Sequence, residues 1–102
     1  MNLNDLQDST TQWAHDRNLI DGTTSDKQFI KLVEEIGEIA ECLAKDKPHE
    51  LKLEIGDALV CLNNLCAQKG FTLNDAFSAA WNKIKDRKGK MVDGFFVKEQ
   101  DL

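Results

Sequence analysis

The chain of 102 residues carries thirteen Lys and Arg against eighteen Asp and Glu, a formal charge of −5 at pH 7. That length suits a single domain over residues 1–102 with roughly two thirds of its unfolded surface buried. The acid excess excludes a general binder of phosphate backbones, whose affinity rests on clustered cations, so an anionic ligand would need a metal ion as go-between.

Three cysteines, Cys42, Cys61 and Cys66, lack the spacing of a zinc site and fall in apolar helical contexts. They are expected as buried free thiols of a reducing, cytoplasmic protein. The opening MNLNDLQDST has neither the basic nor the apolar region of a signal peptide, and no run approaches a membrane span.

In chain order the pattern predicts four helices and a tail. The first runs from about Asn4 to Asn18, with Leu3, Leu6 and Trp13 as core contacts, and a turn follows through Asp21-Gly22-Thr23-Thr24. The second opens on a capping box of Ser25 with Gln28. Its apolar stripe, Phe29, Leu32, Val33, Ile36, Ala40 and Leu43, recurs at the helical period and stops at Pro48. The third, from about His49 to Gln68, places Leu51, Ile55, Ala58, Leu62, Leu65 and Cys66 on one stripe and ends at Lys69-Gly70. Its short connection to the second helix implies antiparallel neighbours. Thr72 and Asp75 form a capping box for a fourth helix that buries Phe77, Ala80, Trp81 and Ile84 and runs out near Lys88-Gly89. The tail Lys90–Val97 is apolar around Asp93-Gly94, the pattern of a small hairpin, or alternatively of an extended arm packing its Phe residues on the bundle or on a partner. The fold class is all-α: an antiparallel four-helix bundle-like core with a short C-terminal arm or hairpin.

Two carboxylate pairs stand out. Glu35 and Glu38 on the second helix, and Glu54 and Asp57 on the third, are each spaced i, i+3, which puts both acids of a pair on one helical face. Each pair flanks an apolar stripe, where an unpaired carboxylate is costly. Each also contains a helix-interior glycine, Gly37 or Gly56, at about 1 kcal/mol relative to Ala; the matched positions suggest space kept clear. Across one antiparallel seam the four acids would make an all-oxygen site suited to Mg²⁺. A face of solvated Glu residues is the alternative for either pair taken alone.

The run Lys31-Leu32-Val33-Glu34-Glu35-Ile36-Gly37-Glu38-Ile39-Ala40, then, with fifteen residues between Glu38 and Glu54, Glu54-Ile55-Gly56-Asp57-Ala58-Leu59-Val60, resembles the E-x-x-E plus E-x-x-D signature of the MazG-like all-alpha nucleoside triphosphate pyrophosphohydrolases. Trp81–Met91 is similar to the basic C-terminal motif of the family's short single-module phage and mobile-element members. The resemblance covers nearly the whole chain. It implies hydrolysis of (deoxy)nucleoside triphosphates between the α and β phosphates, to monophosphate and pyrophosphate, in nucleotide-pool house-cleaning.

It further implies Mg²⁺, with Mn²⁺ able to substitute, held by Glu35, Glu38, Glu54 and Asp57, with Glu35 or Glu38 as catalytic general base on a water. Lys31, Lys85, Arg87 and Lys90 are the candidates to meet the polyphosphate. Gln28, Asn64 and Asn82 are candidates for hydrogen bonds to sugar or base, and Trp13 for stacking, although a core role for Trp13 is the stronger expectation. A homodimer or homotetramer is implied, with no membrane and no nucleic acid as partner. Two alternatives remain: a non-catalytic helical module binding a metal or a protein, and the related phosphoribosyl-ATP pyrophosphatase activity.

Overall fold

A computed structural model describes all 102 residues. Four helices, α1 (Leu3–Asp16), α2 (Ser25–Ala44), α3 (Pro48–Gln68) and α4 (Leu73–Ile84), precede two strands, β1 (Gly89–Val92) and β2 (Phe95–Lys98), and a terminal 3₁₀ turn, Glu99–Asp101. The chain is thus mostly helical with one small hairpin.

Local chemistry explains most of the helix ends. Asn2 and Asp5 form a reciprocal cap on α1, and Thr72 and Asp75 do the same on α4 as predicted. Pro48, which ends the preceding run, is also the first residue of α3, where its missing N–H costs nothing. Gly70, at φ 85°, closes α3 in the left-handed region. Two expectations are corrected. The cap of α2 is Thr24, whose hydroxyl accepts from the Lys27 N–H, so no Ser25–Gln28 box forms and Gln28 is free to turn inward. Helix α4 ends at Ile84 rather than near Lys88, because the Arg87 N–H donates to the Ile84 carbonyl in a tight closing turn.

Helix α3 is the centre of the arrangement. Its most extensive packing is with α2, and α1 and α4 pack on it and on each other. Antiparallel pairing of α2 and α3 is evident at both ends of the pair: Cys42 lies near Glu50 and Glu54, and Cys61 lies near Gln28 and Glu35. Side-chain hydrogen bonds tie the remaining pieces to α3. The Asn63 amide donates to Thr11 Oγ1 on α1 at 3.0 Å, and the Gln68 amide donates to the Ile20 carbonyl before α2 at 3.3 Å.

The largest departure from expectation is which side of α2 faces inward. The residues it buries are Gln28, Glu35 and Cys42, spaced by seven, while Phe29, Val33, Ile36, Ala40 and Leu43, the expected core stripe, are exposed, Ile36 by 53%. Of that stripe only Leu32 is half-buried. Similarly Phe77, Ala80, Trp81 and Ile84 of α4, Ile55 of α3, and Leu3, Leu6 and Trp13 of α1 are exposed rather than core. Trp13 stacks against the Arg17 guanidinium at 4.6 Å. The buried set is instead Ala14, Ile20, Cys42, Ala58, Cys61 and Cys66, with Gln28, Glu35, Asn63 and Asn64 among them. All three cysteines are buried and free, as the sequence predicts.

The tail forms the hairpin. Asp93 and Gly94, both at positive φ, make its two-residue turn, and Gly89↔Lys98, Lys90↔Val97, Met91↔Phe96 and Val92↔Phe95 face one another antiparallel. Gly89 is required by close approach: a β-carbon there would run into the Val97 carbonyl and the Phe96 ring. Gly37 and Gly56 differ, since open space surrounds both and no atom within 4 Å demands a glycine.

Candidate metal centre

Turning the polar ribbon of α2 onto α3 brings three of the four signature acids together. Carboxylate oxygens of Glu35, Glu38 and Glu54 all lie within 4.8 Å of one another. Glu35 and Glu38 are one turn apart on α2, and Glu54 enters from α3 because the helices run antiparallel through a three-residue connection. Asp57 stands one turn further along α3, exposed and outside this cluster.

The electrostatics of the trio are unbalanced. Glu35, only 5% exposed, has one oxygen 3.4 Å from the Lys31 ammonium; its other oxygen is buried without a hydrogen-bond partner. Glu54 likewise has a buried oxygen with no partner. The Glu38 carboxyl beside it, then burial and the neighbouring Glu35, push the Glu54 carboxyl up to about 7. Of the three acids only Glu35 has an ammonium partner, Lys31, which is also 3.4 Å from Glu34. Two orphaned carboxylate oxygens facing like charges are the donor set a hard divalent cation satisfies. The residues present therefore fit such an ion, which Glu35, Glu38 and Glu54 would hold.

A concave mouth of about 300 Å³ opens beside the trio, lined by Glu38, Glu41, Cys42, Lys45, Lys47, Glu50 and Glu54. From the sequence, Cys42 is expected in an apolar helical context rather than beside acids. The signal for Cys42 was its place seven residues after Glu35, on the same face of α2.

Residues 24–92 match the MazG nucleotide pyrophosphohydrolase domain. The chain belongs to the MazG family. The matched MazG segment starts at Thr24, the cap of α2, and ends at Val92, the last residue of β1, so it contains the seam and all four signature acids. An uncharacterized 18.2 kDa protein in the rep–hol intergenic region of Haemophilus phage HP1 (strain HP1c1) is 47% identical over 66 residues, 65% of this chain and 40% of that protein. The chain therefore matches less than half the length of this relative. No solved structure matches it.

Within this MazG fold the other expected substrate residues divide into two groups. Gln28 and Asn64 are buried, Gln28 beside Cys61 on the inward face of α2, and the Asn64 side-chain carbonyl has no hydrogen-bond partner. Lys31 borders the trio directly. Trp13 and Asn82 lie on α1 and α4, helices that pack on α3 rather than on α2, and both are exposed. Lys85, Arg87 and Lys90 follow α4, exposed and without an ion-pair partner.

Proposed function

We propose that the chain hydrolyses nucleoside triphosphates, deoxynucleotides included, between the α and β phosphates, releasing a nucleoside monophosphate and pyrophosphate as nucleotide-pool house-cleaning. The observation that carries this reading is the convergence of Glu35, Glu38 and Glu54 with two buried carboxylate oxygens unpartnered, in a chain of the MazG family. Mg²⁺ is the proposed ion and Mn²⁺ its substitute, with Asp57 completing the set one turn from Glu54. When bound, the ion supplies charge neutralisation for the polyphosphate and acidifies water.

The chain's own groups take the remaining roles. Glu38 is exposed while Glu35 is buried and tied to Lys31, so Glu38 is the proposed general base, able to reach water and accept its proton. Lys31 is placed to bind a phosphate oxygen in exchange for Glu34, and Lys85 and Arg87, at the end of α4, are the candidates for the outer phosphates. Gln28 and Asn64, polar groups buried along the α2–α3 seam, are assigned to sugar or base. Three free thiols suit a reducing compartment such as the cytoplasm; no helix is long and apolar enough to cross a membrane.

The working unit is proposed to be a homo-oligomer. The chain exposes 7705 Å², whereas a monomeric globular protein of its mass exposes about 5,800 Å². The surplus of about 1,900 Å² per chain is of the size an obligate homodimer interface covers, and the exposed stripe of α2 is the natural surface to be covered.

The test is a panel of canonical and modified nucleoside triphosphates, with phosphoribosyl-ATP included, incubated with Mg²⁺ and resolved by product. Pyrophosphate plus monophosphate is expected from the nucleotides, with loss of turnover in Glu38→Gln and Asp57→Asn. Release of phosphate plus diphosphate, or full turnover in both variants, would refute the assignment.

A further inference from the structure

The hairpin has no packing partner on its own chain. Beyond the pairing of its two strands, β1 meets only the terminal 3₁₀ turn, and neither strand packs on a helix to a comparable extent. Both of its faces are nevertheless apolar. By strand alternation and register, Val92, Phe95 and Val97 share one face and Met91 and Phe96 the other; Phe95 is 76% exposed. A two-stranded ribbon alone in water is marginal at best, so this one needs a surface to lie on.

The bundle offers one. Between α1, α3 and α4 lies a cavity of about 410 Å³, walled by Leu3, Leu59, Leu62, Cys66, Leu73 and Phe77. Its two outer helices are fixed together at their first turns, where the Asn74 N–H donates to the Gln7 side-chain oxygen at 2.7 Å. Nothing in the chain fills it, although Leu3 and Phe77 at its rim are among the most exposed apolar side chains. The chain's own hairpin is directed elsewhere. Lys85 keeps helical dihedrals, and the Arg87 N–H bonds back to Ile84. The hairpin follows the C-terminal end of α4 whereas the cavity lies at its N-terminal turns, and neither strand packs on α1, α3 or α4 as these helices pack on one another.

Charge complements shape. Residues 83–98 hold six cations, Lys83, Lys85, Arg87, Lys88, Lys90 and Lys98, against Asp86 and Asp93, a net +4, while residues 1–82 hold fourteen acids against seven bases, a net −7. None of those six cations has an ion-pair partner within the chain. Around the cavity, Asp5 and Asp8 on α1 and Asp75 on α4 have none either. Two surfaces of opposite sign, each unpaired and each exposing apolar side chains, are complementary.

We propose that the hairpin is an exchanged arm: it leaves its own bundle and seats its Phe95 face in the α1–α3–α4 cavity of a second copy of this chain, with Lys90, on that same face, directed to that copy's Asp5, Asp8 and Asp75. This rests on the homo-oligomer reading above and on no part of the catalytic one. Exchange of this kind is reciprocal in a two-fold pair, so each cavity receives one arm and none is left open.

The experiment uses the full chain with a photo-crosslinking phenylalanine analogue at the position of Phe95, a substitution that keeps the ring. Chains labelled with ¹⁵N are mixed with unlabelled chains under dissociating conditions, refolded together without nucleotide or metal, checked for native helicity, and irradiated. The expected product is a two-chain species whose mixed-isotope peptides join position 95 to the segments around Leu3–Gln7 or Leu73–Phe77. Links confined to one chain, links from arm to arm or to α2, or no link at all would overturn the proposal. Sedimentation of the same sample separates the two levels of failure: a monomer removes the oligomer reading as well, while an oligomer lacking the expected link removes the arm alone.

Discussion

Carboxylate oxygens of Glu54 on α3 and Glu38 on α2 lie within 4.8 Å of each other across the helix seam, with Glu35 close by, and the Glu38 carboxyl above all lifts Glu54 to about 7. Two acids from different helices are held together in spite of their charge. Their cost in the metal-free protein and their use in the loaded one are two aspects of the same arrangement.

The metal-free protein should lose stability as pH rises. Glu54 has a folded-state value of about 7 against a reference of 4.5, so between those values the folded state binds the proton and the unfolded state does not. Stability is then fully present below about pH 4.5 and is progressively lost as pH rises through 7. Thermal melts in chelator from pH 5 to 8 should show a falling midpoint, and Glu54→Gln should flatten that slope. Mg²⁺ should restore the midpoint at pH 8 in the native chain and not in Glu54→Gln, through preferential binding to the folded state. The same variant should lower turnover by roughly 100-fold or more, the scale on which removal of one charge-stabilising group acts.

Lys31 should prove to serve the substrate as well as Glu35. Its ammonium is solvent-exposed, but of its two partners at 3.4 Å only Glu34 is exposed and Glu35 is buried, so its loss leaves a buried carboxylate without its cation. Lys31→Met should lower the melting midpoint in chelator, recover it with Mg²⁺, and raise KM roughly ten- to a hundredfold, the worth of one charge-assisted hydrogen bond. An unchanged KM with a large fall in melting midpoint would assign Lys31 to the fold alone.

The exposed stripe of α2 gives a third expectation. Ile36→Glu places a charge in the middle of Phe29, Val33, Ile36, Ala40 and Leu43 without disturbing any buried contact within the chain. A self-sufficient monomer would tolerate it. If that stripe is an interface, the variant should sediment as a monomer, lose helicity at micromolar concentration, and abolish the concentration dependence of melting expected of the native chain.

Gly89→Ala should damage the hairpin selectively. Its β-carbon would collide with the Val97 carbonyl and the Phe96 ring, so the β1–β2 pairing must shift. Helix content by circular dichroism should stay native while amide exchange at Met91 and Val97 accelerates. Gly37→Ala, at an open position in α2, should be neutral or stabilising by about 1 kcal/mol in chemical denaturation.

Much of this was legible in the sequence, and the part that was not has a common cause. The four helices, the Thr72–Asp75 cap, the Lys69-Gly70 stop and the Asp93-Gly94 turn depend on residues close in sequence and were read correctly, apart from the cap of α2 and the end of α4. The carboxylate pairs were legible because i, i+3 spacing is local too. What failed was the assumption that the more apolar face of a helix must be the one buried within its own chain. On α2 that face is Phe29–Leu43, and it is turned out, because the seam takes Gln28, Glu35 and Cys42. Periodicity identifies a face and carries no label saying which surface will cover it. Asp57 fell outside the cluster for a related reason: the relative height of two helices is set by packing, which single-helix projection does not contain.

Cys42 gives the metal centre a chemical preference. Its thiol lies in the same mouth as Glu38, Glu50 and Glu54, and burial, reinforced by Glu54 and Glu50, pushes it above the ordinary thiol range. At neutral pH it therefore remains S–H and offers no thiolate. On the proposed function, the acids that would hold a cation also keep the neighbouring sulfur protonated, so the mouth would offer oxygen donors and favour hard ions over soft ones. A thiophilic ion such as Cd²⁺ would have to displace that proton to bind. The carboxylates thus do more than recruit a metal; they narrow the kind of metal that is welcome.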